Sequence, residues 1–347
     1  SFDVGTGTVG VVRKVAPQPD GKLVVAGEFT HFANSSRKNI ARLNYDGTLD
    51  NSFNPGTGFE TGSRVNDVGL LSSSKIAVVG NFNTYNGVTQ RMLVMLNVDG
   101  SRDTTFNPNF TQTGEIRKVV PYLGGKLLIL GSFRFGSDTQ ATNFALLNSD
   151  GSRDTSFAPT FTPSAASINS MAVQPDGKII VVGSFTSVNG TAKSYIARLN
   201  ADGSLDATLT LNAPNYTQSS INEVYVQPDG KILIFGLFQR TDTQFFVSVG
   251  LVRLNSDGGR DISFNAPRGS TINASTFTVQ PDGRILVIMT YTFESAYFNT
   301  LTKTFVARLR TNGILDYAFK FNSRGINPNS AQSIHTMAVF PDNKVII

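Results

Sequence analysis

A stretch resembling Ala197-Arg198-Leu199-Asn200-Ala201-Asp202-Gly203-Ser204-Leu205-Asp206 occurs six times in this chain. A stretch resembling Gln174-Pro175-Asp176-Gly177-Lys178-Ile179-Ile180-Val181-Val182-Gly183 occurs seven times. Successive copies lie about fifty residues apart, which makes the chain one supersecondary unit repeated and restricts it to repeat architectures. Two landmarks keep step. The basic residue after the first turn falls at Lys22, Lys75, Lys126, Lys178, Lys231, Arg284 and Lys344, and the glycine of the second turn at Gly47, Gly100, Gly151, Gly203, Gly258 and Gly313.

Each unit reads as four short strands. Residues 168–174 form the first, and the β-branched run Lys178 to Phe185 reads as a strand buried on both faces. A helix is disfavoured there by the shortness of the run and by the Pro-Asp-Gly and Gly-x-Phe that bound it. Tyr195 to Asn200 is the third strand, and the short, partly polar Leu205 to Leu209 the fourth, as expected on passing from a crowded interior to a solvated edge. Pro175-Asp176-Gly177 suits a type I turn with a glycine bulge, so strands one and two form a hairpin, and Asn200-Ala201-Asp202-Gly203 does the same for strands three and four. The fold class is therefore all-β, a β-propeller of four-stranded antiparallel blades. The repeats run over approximately 9–54, 64–107, 115–158, 167–210, 220–265 and 272–320, with a partial one at 333–347, in a single domain spanning 1–347. Six complete units plus two strands of another predict seven blades, with six as the alternative. Ser1-Phe2 matches the close of a fourth strand and Val345 to Ile347 stops inside a second, so the chain is expected to be a fragment of a longer one.

The hairpins are constant in length, whereas the connections from strand two to three and from strand four to the next unit vary. In an up-and-down blade those two connections share one face. Binding loops gather on one side of a rigid scaffold, so this variable face is where a protein or glycan partner is expected; drift in loop length is the alternative. Copies five and six carry the longest loops, and their irregular aromatics Phe245, Phe246, Phe293, Tyr297 and Phe298 are the candidate partner-binding residues. Packing of each long loop on itself is the competing explanation.

Charge gives little more. The net charge is +5, yet sixteen of the 20 aspartates sit at repeat positions, and the turn cations together with Arg42, Arg198, Arg253 and Arg308 are equally periodic. They form rings, not the clustered cations with interleaved aromatics of a nucleic-acid site, so no nucleic-acid partner is expected. No apolar run approaches the ~18 residues of a membrane-spanning helix. The chain has no cysteine, which excludes disulfides and thiol chemistry. Its two histidines, His31 and His335, are solitary, and the Asp boxes of sialidases need a tryptophan that is absent. Asn200, Asp202 and Asp206, with their equivalents in other copies, place three side-chain oxygens around a glycine turn. This arrangement shares part of a calcium loop but lacks its leading Asp and its bidentate acid, and Asn and Asp are equally what a tight hairpin wants. No metal, other cofactor or catalytic residue is expected.

The composite Gln-Pro-Asp-Gly-Lys-Ile-x-Val-x-Gly-x-Phe followed by Ala-Arg-Leu-Asn-x-Asp-Gly-Ser-Leu-Asp-x-x-Phe resembles the delta-60 repeat family, bacterial β-propeller repeats of uncharacterised function. Ser72-Ser73-Ser74, Leu123-Gly124-Gly125 and Ile288-Met289-Thr290-Tyr291 depart from the pattern. The resemblance implies a secreted or cell-surface setting in a Gram-negative bacterium, beside other domains or chains of a surface assembly. The function expected on these grounds is a non-enzymatic binding scaffold or spacer; the alternative is a propeller-type hydrolase or lyase with a site on the variable loop face.

Overall fold

Every complete repeat opens with the hairpin its first turn demands. In repeat four, Ile168–Val173 pairs antiparallel with Ile179–Gly183, which pairs in turn with Ile196–Leu199. Gly177 takes φ of 82° and donates its N–H to the Gln174 carbonyl at 2.9 Å, giving the type I turn with a glycine bulge. Repeats two and three close the same hairpin without Pro-Asp-Gly, through the Leu71 N–H to the Lys75 carbonyl and the Tyr122 N–H to the Lys126 carbonyl. Ser74 adopts φ of 64° in one, and a single 3-10 turn at Leu123–Gly125 serves in the other.

A computed structural model describes residues 7–111, 114–136, 138, 141–163, 167–211, 216–240, 250–266, 272–294, 300–319, 336–339 and 345–346. Within them the one-two-three strand order recurs in all six repeats, and Ala338–Val339 with Val345–Ile346 forms the start of a seventh. The fourth strand is reduced to one bridge per repeat: Leu43 to Leu49, Leu96 to Arg102, Leu147 to Arg153, Leu199 to Leu205, Leu254 to Arg260 and Leu309 to Leu315. Its carboxylate and hydroxyl side chains explain the brevity, because they hydrogen-bond the local backbone in competition with a ladder. None of the described residues forms a helix long and apolar enough to cross a membrane.

The chain divides into two compact units, Ser1–Ala158 and Pro159–Ile347. The cores of both lie between consecutive repeats. In the first unit, Ile76 and Val78 of repeat two join Val24, Ala26 and Ile40 of repeat one, while the intervening Ala77 and Val79 join Ile116 and Ile129 of repeat three. A strand with period-two alternation can do this only if both its faces are covered, which is why its residues are uniformly apolar. In the second unit, repeat four packs on five, five on six, and six on the partial seventh through Met337 and Val339.

The glycine five residues after the first-turn cation is required by a close approach. A Cβ at Gly80 would lie 2.0 Å from the Arg64 carbonyl oxygen, and Gly27, Gly131, Gly183 and Gly236 are placed alike. Repeat six has Met289 there, and its strand two runs on as Ile285–Glu294, pairing residue for residue with Thr300–Leu309. The longest two-three connection is thus largely an extension of the sheet.

Candidate functional site

The periodic acids converge on protein cations. In repeat four, Asp206 Oδ2 accepts from Lys178 Nζ at 2.7 Å and from Arg198 Nε at 2.8 Å, while its Oδ1 accepts from the Thr208 N–H and hydroxyl. Arg198 continues through Nη1 to the Ser256 carbonyl of repeat five at 2.7 Å. Arg42 joins Asp50 to the Val98 carbonyl of repeat two, and Arg253 joins Asp261 to the Thr311 carbonyl of repeat six, in the same way. Burial raises the carboxyls of Asp50, Asp206 and Asp261, but these donors outweigh it and hold all three far below the ordinary range. Repeats two and three carry Met95 and Leu146 in place of the arginine, leaving Asp103 and Asp154 to Lys75 and Lys126.

The second-turn acids are equally occupied. Asp202 Oδ1 accepts from the Ser204 N–H and hydroxyl, and Asn200 Nδ2 donates to the same hydroxyl at 2.8 Å. Asn200 and Asp202 therefore share Ser204 while Asp206 meets Lys178, Arg198 and Thr208, and no group of three acids, histidines or cysteines that could hold a metal occurs among the described residues. His31 is exposed with Nδ1 3.0 Å from the Thr30 hydroxyl; His335 lies outside the described residues.

The loop face carries a second layer that the repeat pattern hides. The two-three connections of repeats two and four fold into small hairpins, Thr84–Tyr85 with Val88–Thr89 and Ser187–Val188 with Thr191–Ala192. The preceding four-one connection pairs with each hairpin: Phe59 bridges to Tyr85 and Phe161–Thr162 to Ser187–Val188, and Phe110 bridges to Phe135 in repeat three. The aromatics drive this, since Phe59 sits 4.5 Å from Phe82, Phe110 5.6 Å from Phe133 and Phe161 5.2 Å from Phe185, measured between ring centroids. Glu60 accepts from the N–H groups of Asn83 and Thr84; burial pushes its carboxyl up, but these bonds win and lower it. The periodic strand-two phenylalanines signalled a core, whereas Phe59, Phe110 and Phe161 escaped the sequence reading. Their signal was an aromatic six or four residues beyond the last strand-four phenylalanine.

A pocket opens on this face within the first unit. It has a volume of about 150 Å³ and is lined by Thr89, Gln90 and Arg91 before strand three of repeat two and by Asn107, Pro108, Asn109 and Phe110 leaving that repeat. Gln90 is fixed by its donation to the Leu93 carbonyl at 2.7 Å and by the Arg102 guanidinium at 3.1 Å. Asn107 Oδ1 accepts the Asn109 N–H in an Asx turn, and Asn109 takes φ of 49°. At the same place in repeat one the loops close on each other, so that a Cβ on Gly58 would meet the Lys38 carbonyl oxygen at 2.8 Å. Of the aromatics chosen from sequence, Phe293 lies in the extended hairpin opposite Leu301, and Phe245, Phe246, Tyr297 and Phe298 fall outside the described residues. The pocket uses none of them.

The family model described as "Domain of unknown function (DUF5122) beta-propeller" matches residues 18–53, 71–106, 125–157, 174–209, 227–264 and 280–319, and the chain belongs to that family. No curated protein matches it. Among solved structures it is similar to a GH43 endo-arabinanase from Bacillus licheniformis, with 14% sequence identity over 76% of this chain and 99% of that one and a TM-score of 0.31. The expectation of a non-enzymatic scaffold or spacer is withdrawn: the matched structure carries an enzyme's name, and a likeness at this identity and TM-score assigns neither an activity nor the lack of one to this chain. Propeller repeats by themselves assign neither a reaction nor the lack of one.

Proposed function

We propose that this DUF5122 β-propeller recognises a saccharide at the loop face of its first unit. The observation that carries the proposal is the makeup of the pocket between Thr89–Arg91 and Asn107–Phe110. Amide and hydroxyl groups both donate and accept, which suits the hydroxyls of a sugar, while Pro108 and Phe110 are buried and form the floor behind them. The volume is below the ~300 Å³ of pockets that enclose drug-sized ligands, so it takes one small polar unit, such as a single residue of a longer glycan. What the lining supports is the binding of such a unit. On the composite motif we assign the repeats to the delta-60 type, and a glycan ligand suits the secreted or cell-surface setting that type implies.

A glycan array probed with the whole chain, followed by calorimetry on the hits, tests the reading. Thr89→Tyr fills the pocket from an exposed position and is expected to abolish binding with the thermal midpoint unchanged. Full binding by this variant, or no saccharide bound by the wild type, would overturn the proposal.

A further inference from the structure

Arg91 distinguishes this pocket from the periodic charges around it. The arginines of the third strands are consumed by aspartates, but Arg91, which precedes its third strand, forms no ion pair among the described residues. The one hydrogen bond of its side chain there is a long one, Nη1 to the Phe110 carbonyl at 3.4 Å. The guanidinium is half-buried at the pocket wall, and a second cation, Arg102, stands behind Gln90. Nothing on the lining neutralises this charge, because its other polar members are Thr89, Gln90, Asn107 and Asn109. An unneutralised guanidinium with spare donors in a fixed fork favours a planar carboxylate, which it can engage with two parallel hydrogen bonds.

We infer that the ligand is an acidic saccharide, a glycan containing uronic acid residues whose carboxylate seats on Arg91 while its hydroxyls meet Asn107, Asn109 and Thr89. This rests on the saccharide reading above and narrows it. An acidic peptide would satisfy the same cation. The sugar is favoured because the remaining groups are neutral amides and a hydroxyl around a space for one small unit.

The test is calorimetry of the whole chain with three probes: trigalacturonic acid, its methyl ester and triglutamate. The acid is expected to bind at least about tenfold more tightly than the ester, and Arg91→Gln to erase that preference while leaving the ester within about twofold. The preference is also expected to shrink as salt is raised, a readout on the wild-type protein that does not depend on the variant folding. Equal binding of acid and ester, unchanged by Arg91→Gln, would overturn the inference and leave the saccharide reading standing. Triglutamate bound as tightly as the acid would overturn the choice of a glycan. Failure to bind either sugar would overturn the inference, and the saccharide reading falls with it only if the glycan array is also blank.

Discussion

At the scale of single residues, the most frequent charges in the chain are structural. Asp206 is 6% exposed, with Lys178 and Arg198 on one oxygen and Thr208 on the other, and Arg198 is itself buried. Removing the acid strands a buried guanidinium, whereas removing the arginine leaves an acid still paired with a lysine. Asp206→Ala is therefore expected to cost about 3–5 kcal/mol, as for breaking a buried pair from one side. Arg198→Leu, which imitates Leu146 in repeat three, should cost about 1–2 kcal/mol, within the range of ordinary substitutions. Chemical denaturation of the two variants checks the order; a costlier Arg198→Leu would show that the link to Ser256, not the ion pair, carries the node. The charge periodicity was visible in the sequence and pointed correctly to a structural use. Which partner each acid meets was not, because Lys178 and Asp206 are brought together only by the folding of two hairpins onto one another.

At the scale of elements, the two turn glycines of a repeat have different duties. Gly230 and Gly258 both take positive φ, at 81° and 93°. A Cβ at Gly230 would find its nearest neighbour at 4.0 Å, whereas one at Gly258 would lie 2.5 Å from the Thr210 carbonyl oxygen of the preceding repeat. Gly230→Ala should cost about 1–2 kcal/mol for the left-handed backbone alone. Gly258→Ala adds an overpacking cost of about 1–3 kcal/mol. Equal costs, measured by urea unfolding, would show that the second turn is not a packing contact between repeats. This difference explains why the first turn tolerates Ser74 in place of its glycine in repeat two while the second keeps its glycine in all six repeats. Hairpins were legible because their turn chemistry is local. The second layer on the loop face was not, since Glu60 and Asn86 act there on backbone N–H groups of a neighbouring segment, with no residue pattern to mark the partner. The pocket was missed for a related reason. Variable loop length directed attention to copies five and six, but the pocket arises in repeat two, where the length is regular and only the residues change.

At the scale of the whole molecule, each compact unit is a series of repeats joined by apolar contacts and by Asp nodes. Asp154, hydrogen-bonded by Lys126, is held down to about 2, and Asp50, Asp206 and Asp261 lie lower still because lysine, hydroxyl and arginine donors outweigh their burial. A carboxyl whose folded value is depressed contributes stability that is fully present above its unfolded value of about 3.9 and is lost as pH falls through the folded one. The direct measurement is the thermal midpoint from pH 7 down to 2 for the wild type and for a variant combining Asp50→Asn with Asp206→Asn, one node in each unit. The wild type should melt well above the variant at pH 7, with the gap constant to about pH 5 and closing between about pH 4 and 2. Two curves that coincide at neutral pH, or stay equally far apart to pH 2, would contradict the claim that these periodic acids hold the repeats together.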